Sequence, residues 1–144
     1  MILSNFSERL EELIFDSKLN KKSIAENVGI NATCISHYVL GKRIPTIKSL
    51  IKLADYFKCS TDYLLGLEEE NNNLTFKKCP PFKEQIKILE KSLNLSSTDI
   101  YTKYKIKKST YYSWLEGKQP PLDNILILAE QLKMRVDYIL GRES

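Results

Sequence analysis

The chain has one histidine, three cysteines and no long apolar run among its 144 residues. Each scarcity excludes something. His37, alone, cannot build a catalytic triad or a metal site. Cys34, Cys59 and Cys79 are odd in number and none stands at CxxC spacing, which argues against a disulfide framework and against zinc. A reduced, cytosolic setting fits them best. No stretch approaches the roughly 18 apolar residues of a membrane helix. The acidic N-terminal segment lacks the positive start of a signal peptide. Phosphate-cradling glycine loops, paired carboxylates and nucleophile–base pairs are all missing, so neither an enzyme nor a cofactor is expected.

Charge is mild overall, with 22 basic against 18 acidic residues, but it is unevenly placed. Residues 20–45 hold Lys21, Lys22, Lys42 and Arg43 against Glu26. Residues 96–121 hold Lys103, Lys105, Lys107, Lys108 and Lys118 against Asp99 and Glu116. Positive charge gathers where a phosphate backbone would need it.

The stretch 20–45 is the one around which the rest is organised. Asn20 predicts the cap of a short helix. Ile24, Ala25 and Val28 give it one apolar stripe. Gly29 stops it, because a left-handed residue costs least without a Cβ. Ile30 is expected as a buried turn residue. Asn31 then caps a second helix with Ile35 and Tyr38 inward, and Gly41 ends it. Helix, glycine turn, helix is the helix-turn-helix pattern, whose second helix enters the major groove. Ala32, Thr33, Ser36, His37 and Leu40 form its outward face. Thr33, Ser36 and His37 can hydrogen-bond to base edges, and the Ala32 methyl can meet a thymine methyl.

In front of this pair, residues 4–16 predict a helix with Phe6, Leu10, Leu13 and Ile14 on one stripe. Behind it, a helix over 46–57 turns Leu50, Leu53, Ala54 and Phe57 inward. Ser60 caps a fifth helix over 61–65, closed by Gly66. Residues 67–81, LEEENNNLTFKKCPP, read as an exposed linker, about 50 Å long when extended. The pattern then returns. Phe82, Ile86 and Leu89 follow Phe6, Leu10 and Leu13. Ile100, Ile106, Gly117 and Lys118 follow Ile24, Ile30, Gly41 and Lys42 at an offset of 76. One residue later in register, Ile125, Leu128 and Ala129 follow Leu50, Leu53 and Ala54. The endings DYLLG at 62–66 and DYILG at 137–141 nearly coincide.

Ile24-Ala25, Gly29-Ile30, Ile35-Ser36, Tyr38, Gly41-Lys42-Arg43, Pro45, Leu53-Ala54 and the DYLLG ending resemble the lambda-repressor-like, XRE-type helix-turn-helix family, over residues 4–66 and more loosely over 82–141. The resemblance implies an all-α fold of two five-helix DNA-binding domains, 1–66 and 82–144, joined by the linker 67–81. It places Ala32, Thr33, Ser36 and His37 toward bases, and Lys21, Cys34, Lys42 and Arg43 toward phosphates. Lys21 stands where the family usually has Gln, trading a directional amide for a point charge. In the second copy Lys107, Lys108, Ser109 and Ser113 point toward DNA. Ser97 stands at the position of Lys21, and Lys118 at that of Lys42.

That copy departs from the pattern. Tyr101 replaces Ala25, Lys105 replaces the turn glycine, and Tyr111 and Trp114 replace Ile35 and Tyr38. Lys107 and Arg135 stand where caps are expected. Two readings stay open: a second DNA head, or a head retired to dimer contacts or a protein partner. The function expected is that of a bacterial or phage-type transcriptional regulator, a repressor occupying an operator. It would be cytoplasmic and nucleoid-associated, with no ligand-sensing domain and no membrane contact. Double-stranded DNA is the expected partner, with a homodimer or a protein bound by the second domain as further ones. The rivals are an antitoxin-like or scaffold protein, and a single-strand binder using Tyr101, Tyr104, Tyr111, Tyr112 and Trp114. Aromatics at helical spacing favour core over stacking.

Overall fold

Four helices of the first half begin on polar side chains, and those side chains set the architecture. In the computed structural model, which describes residues 2–71 and 75–143, every regular element among the described residues is helical. Met1, Ser144 and residues 72–74 of the expected linker lie outside the described residues. The chain divides into two units, Met1–Leu74 and Thr75–Ser144.

The first unit contains α1 (Ile2–Ser17), α2 (Lys21–Val28), α3 (Ala32–Val39), α4 (Ile47–Phe57) and α5 (Thr61–Leu64). Asn20, Asn31, Thr46 and Ser60 cap α2 to α5, each accepting a hydrogen bond from an otherwise orphaned N–H of the first turn. Helix α1 starts two residues earlier than its apolar stripe predicts. Phe6, Leu10, Ile24, Ile35, Leu50, Leu53 and Leu64 are fully buried and form one core. Two polar groups lock α1 onto it. Ser7 Oγ donates to the Tyr38 carbonyl at 2.7 Å. The Arg9 guanidinium donates to the carbonyls of Tyr63 and Glu68 and lies 3.8 Å over the Tyr63 ring.

Gly29 holds φ +79°, and the Ile30 N–H reaches back to the Ala25 carbonyl at 3.1 Å. Ile30 itself is only half-buried, as are Leu13, Val28 and Phe57. Ile30 sits on a turn with solvent on one side. Phe57 ends its helix edge-on to Tyr56, with ring centroids 5.0 Å apart. The repeated glycine of the DYLLG ending also has a steric reason. A Cβ on Gly66 would lie 2.7 Å from the Asn5 Cβ, at a φ of +77°.

The second unit contains α6 (Phe82–Leu93), α7 (Ser97–Lys103), α8 (Lys108–Leu115), α9 (Leu122–Leu132) and α10 (Val136–Leu140). Here only α7 begins on a side-chain cap, Ser96, in a capping box with Asp99. Pro81, Lys107, Pro121 and Arg135 precede the others without one. The core compensates with large rings. Trp114 packs edge-on to Phe82 and tilted to Tyr111, each with centroids 5.6 Å apart. Lys105 takes φ +55° where glycine is missing, and the Ile106 N–H still reaches the Tyr101 carbonyl at 3.0 Å. The turn survives the substitution, at a local cost of about 1 kcal/mol. Tyr101 clears the crowded position of Ala25 by staying half-buried, beside Tyr111 and Tyr112.

The expected linker 67–81 is not exposed along its length. The Leu67 N–H bonds to the Asp62 carbonyl, and Ser60 Oγ donates to the Glu68 carboxylate. At the other end the Lys77 N–H bonds to the Arg142 carbonyl, and the Arg142 guanidinium lies 4.1 Å over the Phe76 ring. Arg142 is buried and ion-paired to the buried Asp137. Both ends of the segment are therefore built into the units, which shortens the spacer from each side. Cys79 is half-buried within it, and Cys59 is core.

Candidate nucleic-acid interface

Helix α3 buries Ile35 and Tyr38 and so has only one face left for solvent. Ala32 and Thr33 are exposed on its first turn, and Cys34, Ser36 and His37 are half-buried. The Asn31 side chain takes up the Thr33 N–H at 2.7 Å. That fixes the start of the helix and leaves the Thr33 hydroxyl outside. Leu40, 60% exposed, extends the same face. Lys21 is exposed on the first turn of α2, and Lys42 and Arg43 are exposed just past α3.

One contact draws these groups together. Arg43 Nη1 lies 3.4 Å from Cys34 Sγ. The sulfur is a weak acceptor, and the contact brings a guanidinium back beside the first turn of α3. Cys34 is thus engaged by Arg43 rather than presented to solvent as a donor of its own. Lys52 is a cation the sequence pattern does not single out. Its Nζ lies 3.4 Å from the Gly29 carbonyl at the C-terminal end of α2, where a positive charge is favoured by the helix dipole.

In the second unit Lys107, Lys108, Ser109 and Lys118 are exposed. Two other positions are engaged internally. Ser113 Oγ donates to the Thr110 carbonyl at 2.6 Å. Ser97 Oγ donates to the Glu90 carboxylate, 2.6 and 3.0 Å from its two oxygens. Asp99 accepts the Ser96 N–H at 3.0 Å, and that bond with the Ser96 hydroxyl holds its carboxyl below the usual range. Tyr112, one of the aromatics whose spacing favours the core, stands at the surface instead. The offset of 76 puts it at the position of Ser36, and it is 40% exposed, with Lys108 Nζ 6.0 Å from its ring centre.

Tyr111 is fully buried. Burial, and then the nearby Glu90 charge, push its phenol up well beyond the ordinary value. A phenol kept neutral in the fold stabilises it fully below the unfolded value of about 10. That stability is lost as pH rises further and the unfolded chain alone ionises. Thermal unfolding between pH 8 and 11 is expected to show the second unit falling in stability above about pH 10, with Tyr111→Phe flattening that fall.

Helices α2 and α3, turned at Gly29 and carrying a polar, cation-flanked second helix, have the arrangement of a helix-turn-helix. Residues 7–70 match a family model described as a helix-turn-helix domain. Three relatives come from Bacillus subtilis (strain 168). The uncharacterized HTH-type transcriptional regulator YqaE is 35% identical over 72 residues, covering 50% of this chain and 60% of the relative. The uncharacterized HTH-type transcriptional regulator YobD is 39% identical over 59 residues, covering 40% and 53%. The HTH-type transcriptional regulator ImmR is 29% identical over 90 residues, covering 62% and 63%. This chain therefore spans less than two thirds of each relative. No solved structure matches it. No helix among the described residues is long and apolar enough to cross a membrane.

Proposed function

We propose that this protein is an XRE-type transcriptional regulator that reads duplex DNA with α3 and represses by occupying an operator beside a promoter. The observation that carries the reading is Arg43 held against Cys34, beside the exposed Thr33 on the first turn of α3. That sets a phosphate-binding cation, from just past α3, against the base-reading surface of that helix. Lys21 and Lys42 extend the cationic flank. The relatives' names, all HTH-type transcriptional regulators, support regulation as the purpose of binding. The cytoplasm, at the nucleoid, is the location that goes with it.

A second reading has the first unit on DNA and the second making dimer or partner contacts, as a scaffold or antitoxin-like protein would. The exposed Tyr112 ring favours it, since tyrosine is enriched at protein interfaces. The experiment for the main reading is selection from a random duplex library with the full chain. The selected duplex should bind at least about 10³-fold more tightly than a scrambled one, and more tightly than either of its single strands. Equal affinity for scrambled duplex, or preference for the single strand, would overturn it.

A further inference from the structure

We propose that Glu90 keeps the second unit from gripping a DNA phosphate, so that this chain reads duplex DNA through its first unit alone. The inference deepens the duplex reading and rests on it.

The two units carry the same corner with opposite charge. In the first, position 14 is Ile14, buried in the core, and position 21 is an exposed lysine opening α2. The cap there is the neutral Asn20, no carboxylate lies in the first turn, and Lys22 follows. In the second, the offset of 76 puts Glu90 at the place of Ile14 and Ser97 at the place of Lys21. Glu90 does not turn away to bulk solvent. Both of its oxygens lie within hydrogen-bond reach of Ser97 Oγ, at the first residue of α7. Asp99 adds a second carboxylate in the same turn, bonded to the Ser96 N–H. Ser97 and Thr98 stand in place of the two lysines, and two carboxylates, Glu90 and Asp99, stand beside them.

An arriving phosphate would meet like charge there, and a serine proton already given to Glu90. The backbone ends of α2 and α7 are capped alike, by Asn20 and Ser96, so the difference between the two corners lies in their side chains. The influence of Glu90 reaches inward as well, where its charge is among the causes that raise the buried Tyr111 phenol. A separate departure lies on the reading helix, where the exposed ring of Tyr112 replaces the small Ser36. Lys103, Lys105, Lys107 and Lys108 remain exposed, and they make the contrary outcome a real one.

The test uses the full chain and a selected duplex of about 30 base pairs, three helical turns, with affinity measured across salt. Log affinity against log salt counts phosphate contacts at about 0.9 each. Lys107→Ala with Lys108→Ala is expected to leave the wild-type slope unchanged. Glu90→Ile with Ser97→Lys, which installs the residues of the first unit, is expected to steepen it by about 1 to 2. Adding the two alanines should then remove part of the gain. A wild-type slope that falls in the alanine pair overturns the inference, as does an unchanged slope in Glu90→Ile/Ser97→Lys with cooperative melting retained. If that variant does not fold, Glu90→Gln decides, because it keeps an acceptor for Ser97 and removes the charge. Several-fold tighter binding at low salt supports the role of Glu90, and unchanged binding overturns it. A wild-type chain with no duplex affinity removes the duplex reading itself. That failure is distinct from normal wild-type binding that the Glu90 variants leave unmoved.

Discussion

Replacing Lys21, Lys42 and Arg43 together by alanine is expected to weaken duplex binding by the full chain about 10²- to 10³-fold. Each is an exposed cation on the α2–α3 side of the first unit. A charge-assisted contact at such a site contributes roughly 1–1.5 kcal/mol, toward the low end of the range for charged hydrogen bonds. Three of them give roughly 3–4.5 kcal/mol, and about 1.4 kcal/mol is a factor of ten. The salt slope should fall by about 2.7, three contacts at 0.9 each. Melting should hardly move, since exposed substitutions usually stay within about 0.5 kcal/mol. A triple variant that binds within tenfold of wild type, at the same slope, would place the phosphate contacts elsewhere.

The second large effect concerns stability. Trp114→Ala should cost the second unit about 3–5 kcal/mol, the usual range for deleting a buried tryptophan. The ring is 1% exposed and wedged between Phe82 and Tyr111, so no single neighbour can fill the space. Domains have only about 5–15 kcal/mol to lose. Calorimetry of the variant should therefore show a transition far below that of wild type, or none, for this unit, with the transition of the first unit unmoved. If the first unit alone reads DNA, duplex affinity should survive the loss. A fall in affinity that tracks the unfolding would make the second unit a partner in reading.

Much of the first unit is legible in the sequence alone. Asn20, Asn31 and Ser60 mark helix starts because capping is local, involving a side chain and an N–H two or three residues on. Gly29 marks the turn for the same reason. The family match over 7–70 agrees with the resemblance drawn from Ile24-Ala25, Gly29-Ile30 and the DYLLG ending. What stays hidden involves partners that periodicity does not pair. Arg43 and Cys34 are nine residues apart and meet across the end of α3. Arg9 reaches 54 residues along the chain to the Tyr63 carbonyl. The stretch 67–81 reads as linker from its glutamates, asparagines and prolines, yet Glu68 and Phe76 dock onto buried or half-buried arginines. Composition reports the solubility of such a segment and not its docking.

Ser97 teaches the same lesson at the candidate site. Register alone places it at a phosphate corner. The direction of its hydroxyl depends on Glu90, a residue of the preceding helix whose position looks like an ordinary surface charge. Tyr112 follows from the same register, but a ring gives no sign of standing where the small, hydrogen-bonding Ser36 stands in the first unit.

An amide-shift map of the isotope-labelled full chain, recorded as the selected duplex is added, asks directly which unit touches DNA. The largest changes are expected at the start of α2 and along α3, at Lys21, Ala32, Thr33, Ser36 and His37, with α7 and α8 unmoved. Changes centred on Lys107, Lys108 and Tyr112, or no changes in α3, would contradict reading by the first unit alone.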